Sequence, residues 1–240
     1  MTQTPNNFQD IEVGNLFDSD RLSHFCETWD FSDYATRVEL EDAFGGRPRF
    51  FWHADNGADV LAVAHLDTVQ EDRSCHVEDT SEGLIAWSGG LDDRLGVYVI
   101  LDLLPKLGIN VDLLLTTDEE IGQSTAGDFT TSKSYNWMIE FDRGGTDVVM
   151  YHYETDELAA AVAATGAEVG EGINSDITYL SHLGCAGINW GVGYRRYHST
   201  DSHAFLNDTF HMVSLFKRFW DENHELRWSY DPSNYRYGYM

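Results

Sequence analysis

Five short stretches of this chain carry residue types that bind cations or move protons. His65-Leu66-Asp67 closes the apolar run DVLAVA. His65 can offer a neutral imidazole to a metal, and Asp67, two residues on, can accept the proton of the other ring nitrogen and fix the tautomer. Alone, such a pair more often serves as a structural hydrogen bond. Gly89-Gly90-Leu91-Asp92-Asp93-Arg94 is a glycine-rich turn opening a helix. Asp92 could place its two oxygens on two different cations, and Arg94 can pair with a carboxylate; the plainer alternative is that Asp92 or Asp93 caps the helix. Asp118-Glu119-Glu120 follows the run VDLLL. There Glu120 would bind metal, while Glu119 would take a proton from an attacking water and return it to the leaving amine. As an isolated acidic loop this cluster would be solvated surface.

Glu140-Phe141-Asp142 ends another apolar run, with Asp142 the candidate ligand. Its competitor Glu140 is directed by strand alternation to the face opposite Phe141. His198, in YHSTD, is the second imidazole, with His203 an inferior competitor. Each piece is modest, but four of the five follow strand-like runs, and ligands at the carboxyl ends of parallel strands face one crevice. Two imidazoles and three carboxylates can hold two cations through one shared carboxylate, leaving positions for water and substrate.

The elements that must position these groups read as alternating strands and helices. Strand-like runs fall at Arg49 to His53, Asp59 to Ala64, Gly83 to Trp87, Val111 to Leu115, Trp137 to Phe141, Val148 to Tyr153 and Cys185 to Val192. Helical patterns fall at Ser19 to Trp29, with Leu22, Phe25 and Cys26 on one face, and at Leu95 to Leu104, stopping before Pro105. Others cover Glu157 to Ala164, Ile177 to Leu183 and Asp201 to Phe219. This alternation predicts an α/β three-layer sandwich, with a mixed, largely parallel central sheet flanked by helices. Residues 1–240 read as a single catalytic domain, with a loose leader over 1–15 and an aromatic tail over 223–240 that wraps the domain.

The motifs AHLDTV, GGLDDRLG, TTDEEIG, EFDRGG and YRRYHST, in this order, resemble the co-catalytic zinc metallopeptidase superfamily of aminopeptidases and deacylases. The resemblance spans roughly residues 50–220, a catalytic domain without the inserted lid or dimerisation domain that many members carry. It implies His65, Asp92 and Asp142 on one metal and Asp92, Glu120 and His198 on the other. Asp92 would be the bridge, Glu119 the general base and acid on a bridging water, and Asp67 the partner of His65. The run Asn174-Ser175-Asp176-Ile177 also resembles a segment near the active cleft. The implied cofactors are two divalent ions, zinc first, with cobalt or manganese also suited to nitrogen and oxygen ligands. The implied reaction is hydrolysis of a small peptide from its amino end. The alternatives are an amidohydrolase acting on N-acyl amino acids, or a binding module that keeps the fold without catalysis.

Composition narrows the partners. A 42% hydrophobic, 13% aromatic chain is not of the disordered type. Three widely spaced cysteines (Cys26, Cys75 and Cys185) argue against a disulfide framework. The start MTQTPNNFQD lacks the basic and apolar segments of a secretion signal, and no apolar run is long enough to span a bilayer, so a cytoplasmic location is expected. A net charge of −26 disfavours nucleic acid and anionic membrane as partners. With only three lysines beside 41 Asp and Glu, this surface reads as an adaptation to high salt, where screening relieves self-repulsion. The unfolding midpoint is therefore expected to rise between low and molar sodium chloride; a midpoint that is flat or falls would contradict this reading.

Overall fold

The runs VLAVAH, DLLLT and WMIE are buried along their whole length, as strands covered on both faces must be. The computed structural model describes residues 13–44 and 46–231, so most of the expected leader and the last nine residues of the expected tail lie outside the described residues. In chain order the strands are β1 (Thr36–Phe44), β2 (Arg47–Ala54), β3 (Val60–His65), β4 (His76–Thr80), β5 (Gly83–Trp87) and β6 (Asp112–Thr116). They continue with β7 (Trp137–Glu140), β8 (Asp147–Val149), β9 (Glu168–Val169), β10 (Gly187–Trp190), β11 (Tyr194–Arg195) and β12 (His203–Phe205). The helices are α1 (Ser19–Glu27), α2 (Leu91–Tyr98), α3 (Leu104–Lys106), α4 (Asp156–Ala164) and α5 (Leu206–Asn223).

An eight-stranded sheet runs β1-β2-β6-β3-β7-β10-β8-β9. Its centre, β6-β3-β7-β10, is parallel; β1–β2, β2–β6 and β10–β8 pair antiparallel, and β8–β9 is parallel. This is the expected mixed, largely parallel sheet flanked by helices. A second, antiparallel sheet runs β11-β12-β5-β4. Asp18 caps α1 by accepting the N–H groups of Asp20 and Arg21, and α1 buries Leu22, Phe25 and Cys26 as the spacing predicts. Phe216 of α5 meets Trp137, Phe141 and Trp190 with ring centroids 6.4, 5.0 and 5.5 Å away, seating the last helix on the sheet.

Several elements differ from the sequence expectation. Strands β1 and β4 carry charged, exposed residues and lack an apolar run; β1 is an edge strand, where such residues discourage further pairing. The helix expected to stop before Pro105 coils on to Lys106 through a π-helical turn at Val99–Leu103. Pro105 falls just after that turn, at the second residue of α3. The last long helix starts at Leu206 rather than Asp201, because His203–Phe205 pair with β5 instead. Asp176–Leu183 winds as a 3-10 helix, and the strand expected to reach Tyr153 ends at Val149. Of the tail, Trp228 and Tyr230 pack against the core, and Trp228 exchanges main-chain hydrogen bonds with Ala186 and Asn136.

Arg94 corrects a further expectation. Among the described residues it pairs with no carboxylate: Nε donates to Leu66 O at 2.8 Å, and Nη1 donates to Phe25 O at 3.0 Å and Thr28 O at 2.6 Å. Its guanidinium also lies 4.7 Å from the Trp29 ring centroid. Burial pulls its pKa down to about 9. The side chain thus ties the end of α1 to the residue after His65. Arg94→Met is expected to lower stability by about 3 kcal/mol, because carbonyls in the interior lose their donor. Chemical denaturation measures it, and a loss under about 1 kcal/mol would contradict the role of these bonds.

Candidate metal centre

Register in the parallel sheet brings the first groups together. His65 ends β3 opposite Thr116, which ends β6, so the loop with Glu119 and Glu120 leaves the sheet beside the imidazole. Asp142 follows the end of β7, two places along the sheet from β6. The start of α2 brings in Asp92, where the φ and ψ are not helical, and the loop between β11 and β12 brings in His198. His198 sits in the left-handed region at φ 61°, and its carbonyl accepts from Gln70 Nε2 at 3.0 Å.

Asp92 stands between the two imidazoles. Its Oδ1 lies 3.2 Å from His65 Nε2, and its Oδ2 lies 3.1 Å from His198 Nε2. Asp142 Oδ1 is 3.7 Å from His65 Nε2, and Glu120 Oε2 is 2.8 Å from His198 Nε2. Two groups of donor atoms result, His65 with Asp92 and Asp142, and Asp92 with Glu120 and His198, each within 4.8 Å of one another. The structure thus brings all five expected ligands into one place. Glu119 belongs to neither group but lines the same cavity, a cleft of about 340 Å³ that Tyr151, Ile173, Tyr194 and Tyr197 also line.

Asp67 acts differently from the expectation. The His65 Nδ1 proton goes to the main-chain oxygen of Asp67 at 2.9 Å, while its carboxylate lies 3.7 Å away. That carboxylate instead accepts the N–H of Glu119 at 3.3 Å and of Glu120 at 3.1 Å. Because a carbonyl only accepts, Nδ1 is the donor there, and Nε2 is the ring nitrogen left facing Asp92 and Asp142, where a cation between them would take its lone pair. Both competitors are occupied elsewhere. Glu140 is buried and accepts from the Ser175 hydroxyl and Ile177 N–H, and His203 packs on Trp87 at 4.8 Å between centroids. Asp176 accepts from the Thr116 and Ser124 hydroxyls behind the site. Asp93 points into the α2 packing, where a Cβ on Gly96 would lie 2.1 Å from its Oδ1.

The donor set suits cations on electrostatic grounds. Burial, with Asp92 adding, pushes Glu120 up to about 7 and Asp142 up to about 8. Burial raises Glu119 as well. Burial also pushes Asp92 up, but hydrogen bonds to His198 and His65 outweigh it and hold the group below the usual carboxylate range. Among the described residues, oxygen Oε1 of Glu120 is buried without a hydrogen-bond partner. A crowd of carboxylates in a low-dielectric cleft, with an orphaned oxygen and two oriented imidazoles, is a donor set that divalent cations complete.

Two contacts were not anticipated. The Tyr194 hydroxyl lies 2.7 Å from Asp142 Oδ1, and Asn189 exchanges hydrogen bonds with the main chain of Asp142 at 3.0 and 2.8 Å. An asparagine inside the buried strand GINW was a usable signal, whereas nothing in the spacing of YRRYHST marked its first tyrosine.

No protein-family model and no curated protein matches the chain by sequence. Solved structures do match in fold. Aminopeptidase PepT from Bacillus cereus superimposes with a TM-score of 0.60 at 12% identity, over 89% of this chain and 98% of that one. A tripeptidase from Staphylococcus aureus gives 0.59 at 10% identity, over 88% and 97%. The LapA aminopeptidase of Legionella pneumophila gives 0.54 at 12% identity, over 96% and 79%. Identities this low speak to fold alone, and at that level the chain shares the fold of these two aminopeptidases and the tripeptidase.

Proposed function

We propose that this protein is a metal-dependent hydrolase of peptide bonds, an aminopeptidase that acts on small peptides. The observation that carries this reading is the division of the Asp92 carboxylate, one oxygen towards His65 and the other towards His198. His65, Asp92 and Asp142 would hold one divalent cation, and Asp92, Glu120 and His198 the second. Zinc fits a tetrahedral set of imidazole and carboxylate donors, and cobalt or manganese would also fit. When bound, such ions supply Lewis acidity, easing deprotonation of water and polarising a scissile carbonyl.

The chain's own residues do the rest. Glu119 faces the cleft with no ligand duty, so its carboxylate can accept the proton of the attacking water and deliver it to the departing amine nitrogen. Asp67 holds the main chain of Glu119 and Glu120 together through its two carboxylate oxygens, and so keeps base and ligand in register. The cleft, at about 340 Å³, suits a chain end or a small peptide. The likeness in fold to an aminopeptidase and a tripeptidase supports the same substrate class. Among the described residues no helix is long and apolar enough to cross a membrane.

Glu119→Gln is expected to keep its full metal content by elemental analysis yet lose about 100-fold or more of turnover, the scale of a missing general base. Undiminished turnover would remove Glu119 from the reaction. Asp92→Ala is expected to lose metal after dialysis together with activity, since both donor groups share that carboxylate; a variant that retains both ions would contradict the bridge. Free-amine aminoacyl anilides should be cleaved and their N-acylated counterparts left intact. The reverse preference would make the protein a deacylase, and metal-replete protein inert to both would leave a binding module.

A further inference from the structure

Tyr194 stands on β11, in the small antiparallel sheet, yet its hydroxyl reaches the donor groups gathered by the large one. Its oxygen lies 2.7 Å from Asp142 Oδ1 and 3.3 Å from Asp92 Oδ1. These are the two carboxylate oxygens that face His65 Nε2, at 3.7 and 3.2 Å. A buried phenol must place its single proton on an acceptor, and Tyr194 is buried with carboxylate oxygens on both sides. The shorter distance assigns that proton to Asp142. A carboxylate oxygen has more than one lone pair, so accepting from the phenol leaves Asp142 Oδ1 free to ligate.

Tyr194 supplies a hydrogen bond that orients the Asp142 side chain. Asn189 already fixes the main chain of Asp142 from both sides, through its N–H and its carbonyl. What remains is rotation of the carboxylate, and the phenol hydroxyl is the hydrogen bond that sets its angle. Two residues beyond Asp142 the chain passes Tyr194 closely. A Cβ on Gly144 would lie 3.0 Å from the Tyr194 carbonyl oxygen and 3.5 Å from its ring, an approach that a residue without a Cβ makes easily.

We propose that Tyr194 is a positioning residue: its hydroxyl aims Asp142 and steadies the shared Asp92, so that the cation site built with His65 is formed in advance. This inference rests on the two-cation reading given above. It also gives the second sheet a task beyond carrying His198, because both residues come from the β11–β12 segment.

The test uses zinc as the probe, titrated against a chromogenic chelator, on the wild-type protein, Tyr194→Phe and Gly144→Ala. The wild type is expected to take up two ions. Tyr194→Phe keeps the ring and loses only the hydroxyl; it should weaken one ion by about 10- to 100-fold and the other by no more than about threefold, the effect of losing an outer hydrogen bond to a ligand. Gly144→Ala should weaken the same ion by a smaller factor, and it carries the test if Tyr194→Phe does not fold. A tyrosine with a purely structural role would lower the unfolding midpoint without separating the two affinities. Equal zinc affinities in wild type and Tyr194→Phe would overturn the inference and leave the two-cation reading standing, whereas a wild type that binds no zinc would overturn both.

Discussion

Asp92 has two oxygens, and each is turned to a different imidazole. Much of the architecture can be read as what this division requires. The parallel register of β3 and β6 sets His65 beside the loop of Glu119 and Glu120, and β7 delivers Asp142 from the next place in the sheet. The smaller sheet ends in the segment that carries Tyr194 and His198, so the two sheets meet across one carboxylate. Arg94, only two residues beyond Asp92, binds the carbonyl of Leu66, the residue after His65. The same turn therefore supplies the shared carboxylate and anchors the strand end it faces.

Electrostatics divides the molecule into two regimes. The chain as a whole carries a formal net charge of −26, an acid excess that bears on solubility and self-repulsion. Inside the cleft, acids that cannot all ionise together, with Glu120 near 7 and Asp142 near 8, sit against two histidines in a confined space. Long-range self-repulsion is screened by salt, whereas crowded carboxylates in a cleft would be relieved by cations in contact. An acidic surface alone would not arrange two imidazoles around one carboxylate.

Much of this was legible in the sequence because the chemistry-bearing residues stand at strand ends, where an apolar run stops and a polar residue begins. His65, Glu120 and Asp142 each follow such a run, and Asp92 follows a glycine pair that opens a helix. Convergence of His65, Glu120 and Asp142 depends only on parallel strands ending on one side, which the alternation of strands and helices implied, whereas Asp92 arrives from beyond β5 of the antiparallel sheet. Other features depend on packing between elements distant in sequence. Arg94 in an acidic chain suggested a carboxylate partner, but the fold sets it against helix-end carbonyls and an indole. Tyr194 matters because a two-residue strand in one sheet leans over the other, and no local pattern encodes that. Strands β1 and β4 carry charge where a buried strand would show an apolar run, so periodicity missed them. The π-helical turn before Pro105 likewise left no periodic trace.

The central claim, that one carboxylate joins two cation sites, is tested most directly by anomalous scattering from crystals of the protein grown with zinc. The account predicts two peaks, each about 2.0–2.2 Å from a different oxygen of Asp92, with His65 on one and His198 on the other. A single peak, or two peaks of which either lies out of bonding reach of Asp92, would contradict it.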